Sequence, residues 1–128
     1  MTDVYVQPNH VAKTVKYLGG FFSPVVFEVP ASYDNKSLLV LVEDGGGRIR
    51  DRAFFDLRVS IEVRAKSRTE AFRVARQCEA LLRVWGESDH DVHWLSQVGN
   101  VQYYPVDDYD FPAYRFTSEL AFRGEQFN

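Results

Sequence analysis

Four groups of residues have types and spacings that could do chemistry: a glycine run beside arginines, two histidines among aspartates, an acidic aromatic cluster and a lone cysteine. The run Gly45-Gly46-Gly47 leads into Arg48-Ile49-Arg50. A phosphate-binding loop would close on a Lys-Ser/Thr pair, and a dinucleotide turn would space its glycines as G-x-G-x-x-G. Neither pattern stands here. Consecutive glycines carry a large backbone entropy, so Glu43 to Arg52 (EDGGGRIRDR) is expected to be a mobile loop. Loops are thermodynamically cheap, so removing Gly45 to Arg50 is expected to leave the melting temperature nearly unchanged.

His90 and His93 flank Asp91-Val92, with Asp89 alongside. Zinc sites draw three or four ligands from two segments, and residues three apart on a strand face opposite sides. This cluster therefore reads as a polar turn entering a strand. Asp107, Asp108 and Asp110 offer oxygen ligands for a hard cation, but the glycine and distal glutamate of a calcium loop are missing. A solvated turn or an interface contact is the better reading. Cys78, the single cysteine, excludes an internal disulfide and falls on the inner face of an expected helix, as a small buried hydrophobe. The serines form no nucleophile elbow. No catalytic set, metal site or cofactor site is expected.

Charge and hydropathy narrow the classes further. The chain has 15 Lys and Arg against 18 Asp and Glu, a net charge of −3, whereas a general nucleic-acid binder carries a basic excess. Arg68, Arg73, Arg76 and Arg83 are interspersed with Glu70 and Glu79, as on a charged solvent face or a subunit contact. No apolar run approaches the ~20 residues that span a bilayer. The opening MTDVYVQPNH lacks the basic and apolar regions of a signal peptide, so synthesis in the cytosol is expected.

The elements that must position these residues form one domain of 128 residues. A short helix is expected from Asn9, its cap, to Leu18, with Val11, Val15 and Leu18 on one face and Gly19-Gly20 as the stop. Val25 to Val29, between Pro24 and Pro30, reads as an edge strand. Ser37 to Glu43 is an apolar run short enough to be a buried strand. The strongest signal is Phe55 to Lys66. Phe55, Leu57, Val59, Ile61, Val63 and Ala65 point one way, while Asp56, Arg58, Ser60, Glu62, Arg64 and Lys66 point the other. The mixed charge of the second face suits solvent or a neighbouring subunit. Ser67-Arg68-Thr69-Glu70 is a capping box, and the helix it opens places Ala71, Val74, Ala75, Cys78, Leu81 and Leu82 on one face, with Gly86 ending it. Short strands follow at Val92 to Leu95 and Val98 to Tyr104, then a loop from Pro105 to Pro112. Ala113 to Arg123 alternates again and is the natural partner of the first long strand. The sum is α+β: a mostly antiparallel sheet with two helices packed on one face.

Two segments carry a resemblance. FFDLRVSIEVRAKSRTEAFRVARQCEALLR joins a long alternating strand to a Ser-capped, Ala-rich helix, and YYPVDDYDFPAYRFTSELAFRG sets an acidic aromatic loop and a proline before a closing strand. Together they resemble the tail terminator proteins of long-tailed, siphovirus-type phages, especially those of actinobacterial hosts. The resemblance covers most of the chain in order of elements and is specific over Phe55 to Leu82 and Tyr103 to Arg123. It implies a non-enzymatic virion subunit of tail-terminator-like fold without a cofactor. Such a subunit forms a ring, hexameric in the family, with copies of itself at the head-proximal end of the tail. Its other implied partners are the major tail tube protein, whose growth it stops, and the neck or connector protein. DNA passes through the ring without being read, and no membrane is involved. Another neck, tail-completion or minor tail protein, or a host α+β binding domain, are the rival readings. Assembly contacts are expected in three regions. The glycine segment supplies Asp44, Gly45, Gly46, Gly47, Arg48, Arg50 and Arg52, and the long strand's polar face supplies Arg58, Glu62 and Arg64. The acidic aromatic loop supplies Tyr104, Asp107, Asp108 and Tyr109.

Overall fold

The computed structural model describes residues 3–104 and 112–127. Its elements in chain order are β1 (Tyr5–Val6), α1 (His10–Leu18), β2 (Val25–Val26), β3 (Leu39–Ile49), β4 (Phe54–Arg64), α2 (Arg68–Val84), a 3-10 turn (Trp85–Glu87), β5 (Val92–Gln97), β6 (Gln102–Tyr103), β7 (Ala113–Arg123) and β8 (Glu125–Gln126). The main sheet runs β2-β3-β4-β7-β5, with β6 also alongside β7. β2 and β3 are parallel, and the other pairs are antiparallel. β1 and β8 make a separate antiparallel ladder.

The two alternating segments form the centre of the sheet. β4 and β7 pair without a break from Phe54 opposite Arg123 to Arg64 opposite Ala113. A period of two puts Val59, Ile61 and Val63 of β4 and Phe116, Leu120 and Phe122 of β7 into one buried cluster. Leu18 of α1 and Val74, Ala75, Cys78 and Leu82 of α2 close the same cluster, so both helices lie on one face. Each of the larger side chains fully buried there is worth roughly 1.5–3 kcal/mol. The architecture is α+β, as the alternation and the helix spacing imply.

Each helix begins where its cap residue can take a free amide. Asn9 Oδ1 accepts from Ala12 N at 3.0 Å, and Ser67 Oγ accepts from Glu70 N at 3.2 Å. The reciprocal bond from Glu70 to the Ser67 amide is not formed among the described residues, so the box is half closed. In α1 the inward row is His10, Thr14 and Leu18, not the expected Val11, Val15 and Leu18. The two valines flank that row and pack against the core from the side. Thr14 tolerates full burial because its Oγ1 donates to the His10 carbonyl at 2.7 Å. In α2 the stripe is as expected, except that Glu79 is buried and Leu81 half-buried. The α-helix stops at Val84, and Gly86 sits inside the following 3-10 turn.

Three strand expectations change. The strand expected over Val25 to Val29 keeps only Val25–Val26; it does lie at the sheet edge, as the prolines require. The strand expected over Val98 to Tyr104 shrinks to Gln102–Tyr103. The glycine segment is not a loop. β3 continues through it to Ile49, paired with β4 by Gly47 opposite Leu57, Arg48 opposite Asp56 and Ile49 opposite Phe55. The glycines are there because the strand bulges. Between Asp44 opposite Val59 and Gly47 opposite Leu57, β3 advances by three residues and β4 by two. Gly46 and Gly47 take φ of 88° and 144°, which side chains resist, and a Cβ on Gly47 would collide with the Asp56 carbonyl oxygen. The turn is therefore only Arg50 to Ala53, where Asp51 Oδ1 accepts from Ala53 N and Phe54 N. The expected loop over 105–111 lies outside the described residues.

Candidate assembly surfaces

The bulge decides which way the glycine segment presents its side chains. One extra residue switches the faces of everything beyond it. Before the bulge, Val40, Val42 and Asp44 point toward the helices; after it, Gly47 and Ile49 do, and Arg48 and Arg50 turn to the opposite face. Asp44, in line with Val40 and Val42, meets α1, with its Oδ1 at 3.0 Å from His10 Nε2 and accepting from Gly46 N at 2.8 Å. The Gly46 amide, and secondarily His10, hold the Asp44 carboxyl below its ordinary value. Buried His10 also rests edge-on against Phe122. Nothing in the sequence pairs His10 with a residue 34 positions away. The packing of α1 on β3 brings them together.

On the face away from the helices, charged side chains cross-link the sheet. Asp56 takes Arg50 Nε at 2.8 Å and lies 3.9 Å from Arg48 Nε. Arg58 Nε meets Glu119 at 3.2 Å, and Ser60 shares a hydrogen bond with Thr117 at 2.8 Å. Arg64 Nε donates to Glu62 at 2.6 Å, and Arg115 spans Glu62 at 3.7 Å and Glu43 at 3.3 Å. The Arg115 guanidinium also lies 5.1 Å over the ring of Tyr104. This corrects the expectation of an open polar face: Asp56 is 3%, Glu62 3% and Arg64 7% exposed. β4 is central, so arginine stems from both neighbouring strands lie across it and exclude water.

The expected contact residues therefore divide. Glu62 and Arg64 are buried and neutralised within the chain, where they brace the sheet and are not offered to a neighbour. Arg58 is exposed but tied to Glu119, which with Gly47 and Arg48 lines a shallow polar hollow. Asp44, Gly45, Gly46, Gly47, Arg48, Arg50 and Arg52 form one exposed edge, as expected of a contact region though not of a mobile loop. Tyr104 is exposed beside Arg115, with its amide bonded to the Ala113 carbonyl at 2.8 Å. Asp107, Asp108 and Tyr109 lie outside the described residues.

Sequence reasoning passed over the exposed apolar side chains. Ile49 is 70% exposed and, with Val4, Val6 and Phe55, lines a hollow rimmed by Asp3 and Asp51. Phe21, 56% exposed, and Val84 border a second hollow on the helix face with Phe22, Gln77, Ala80 and Leu81. The alternation Arg48-Ile49-Arg50 was the available signal for Ile49, hidden by the glycines before it. Phe21 follows the helix stop, where no periodicity reports on it.

The acids of the Asp89-to-His93 segment, read from sequence as a polar turn, bond within the chain. Asp89 Oδ1 accepts from Asp91 N, and Asp91 Oδ1 receives Arg123 Nε at 3.0 Å. Among the described residues, no three His, Cys, Asp or Glu side chains converge as metal ligands do. Burial pushes the Cys78 thiol up to about 12. No described helix is long and apolar enough to cross a membrane. Comparison of the sequence with models of known protein families and with curated proteins finds no match.

Proposed function

We propose that this chain is a structural subunit that closes into a ring with its own copies and caps the head-proximal end of a phage tail tube. In this role, that of a tail terminator, it stops the tube growing and offers its other face to the neck. The observation that carries the reading is the set of large apolar side chains left in water on separate surfaces of a well-packed domain. Ile49, Phe21 and Val84 stand out from a fold whose two central strands, β4 and β7, pair without a break. Singly exposed apolar residues are ordinary, but grouped ones beside hollows are what protein partners cover. A ring needs two different surfaces on each subunit, because head-to-tail contacts are heterologous. The resemblance of Phe55 to Leu82 and Tyr103 to Arg123 to tail terminators supplies the setting: tube on one side, neck on the other, DNA passing through unread. The work is mechanical, without a cofactor, and its place is the virion.

Electron microscopy tests this directly. Purified chain is added to phage tail tubes growing from tube protein, and the ends are imaged over time. The expected result is a ring at tube ends and arrested lengthening. Tubes that lengthen unchanged with bare ends would overturn the assignment.

A further inference from the structure

The described charges are unevenly shared between the helices and the rest of the chain. α1 and α2 together carry Lys13, Lys16, Arg68, Arg73, Arg76 and Arg83 against Glu70 and Glu79, a balance of 6 − 2 = +4. The chain totals −3, so everything outside the two helices carries −7, of which Asp107, Asp108 and Asp110 lie outside the described residues and the described remainder carries −4. Of these helix cations only Arg83 has an acidic partner among the described residues, Glu79 at 2.8 Å. Arg73 and Arg76 are exposed and lie on the row that continues through Gln77, Ala80 and Val84, the row that borders Phe21. The helix face thus presents an aromatic side chain next to unneutralised arginines.

The hollow at the end of the sheet has the opposite character. Val4, Val6 and Ile49 make its apolar lining, Asp3 and Asp51 stand on its rim with one cation, Arg52, and Glu125 pairs in register with Val6, so acids outnumber bases there. None of these three acids forms a salt bridge among the described residues. The two surfaces share no residue.

We propose that these surfaces are the two halves of one self-contact. Phe21 of one copy enters the Val4–Val6–Ile49 hollow of the next, and Arg73 and Arg76 face that copy's Asp3, Asp51 and Glu125. The occupant is a second copy of this chain because both the apolar knob with its basic flank and the apolar hollow with its acidic rim lie on the same molecule. An aromatic anchor in an apolar pocket, ringed by charged pairs, is how contact energy is usually concentrated. Each copy keeps one unused half, so the contact propagates until it closes. This rests on the ring-forming reading above and assigns the surfaces that reading leaves open.

Sedimentation velocity over micromolar to millimolar protein provides the test, on wild type, Phe21→Asp and Ile49→Asp. Each variant loses one half of the contact, so each alone should associate roughly thirtyfold or more weakly, the usual scale for an anchor residue. Their equimolar mixture should form a dimer and nothing larger, because only one functional junction exists per pair. Circular dichroism checks folding. Should either aspartate variant unfold, Arg76→Glu and Glu125→Arg take their place on exposed side chains. Each weakens assembly alone by roughly two- to fivefold, and mixing them restores it, because the reversed charges then face each other. Variants that assemble like wild type, or mixtures that never pair, overturn the assigned surfaces and leave the ring standing. Wild type that stays monomeric to millimolar concentration overturns the assigned surfaces, and the ring reading falls with them only where tube ends also stay bare.

Discussion

Gly47→Val is the sharpest test of how the β3 bulge organises the exposed edge. A Cβ on Gly47 collides with the Asp56 carbonyl oxygen, and a branched side chain resists its φ of 144°, so the bulge closes and β3 pairs regularly, one residue out of register beyond Asp44. With regular pairing, the faces of Arg48, Ile49 and Arg50 exchange. Arg50 then leaves Asp56, ending the 2.8 Å bond, and Arg48 leaves with it. A charge-assisted bond contributes about 1.5–3 kcal/mol, and stranding a buried acceptor costs an overlapping 1–3. Asp56 is only 3% exposed, so water does not replace the lost partners. A loss of about 3 kcal/mol follows. Gly46→Ala is the control. It finds nothing within 4 Å of the new Cβ, so only the φ of 88° is penalised, by about 1–2 kcal/mol. At roughly 4 °C per kcal/mol for a domain of this size, Gly47→Val lowers Tm by about 12 °C and Gly46→Ala by about 4–8 °C. Urea unfolding followed by far-ultraviolet circular dichroism measures both, with an unchanged m-value confirming a common unfolded state. A Gly47→Val variant as stable as wild type, or more stable than Gly46→Ala, would refute the argument. The segment would then be behaving as the loop its glycines suggested.

Other expectations are smaller. Asp44 is held below its ordinary value of 3.8 by the Gly46 amide and then by His10, so its ionised form is favoured by the fold. Its contribution is complete above that value and lost as pH falls below it, so the stability gap between wild type and Asp44→Asn should narrow in acid; a gap that widens on acidification rejects the linkage. Cys78 is wholly buried and its thiol pushed up to about 12, so thiol reagents should label it only as fast as the core opens, faster in urea. Native labelling at the rate of a free thiol would contradict its position. Leu82→Ala, at a side chain with no exposure, should cost about 2–5 kcal/mol, whereas Ser67→Ala removes one cap and should cost about 1. Denaturant midpoints distinguish the two, and equal losses would mean that α2 is held by its start and not its packing.

Much of the scaffold was legible before any coordinate was known. The alternation of Phe55 to Lys66 and of Ala113 to Arg123 determined two strands and their inward faces, because a period of two leaves a hydrophobic set only one side to bury. Ser67 and the spacing of Ala71, Val74, Cys78 and Leu82 determined where α2 starts and which face it buries, for the same local reason. What tertiary structure decided was everything that depends on two distant segments meeting. Three glycines in a row look mobile to any local rule; only the ladder with β4 shows that they let one strand bulge. That single extra residue then settles that Arg50 reaches Asp56 and on which face Ile49 stands, while the packing of α1 on β3 brings His10 to Asp44. The burial of Glu62 and Arg64 was equally out of reach. Alternation gives the direction of a side chain, while its exposure depends on the long arginines of the strands on either side.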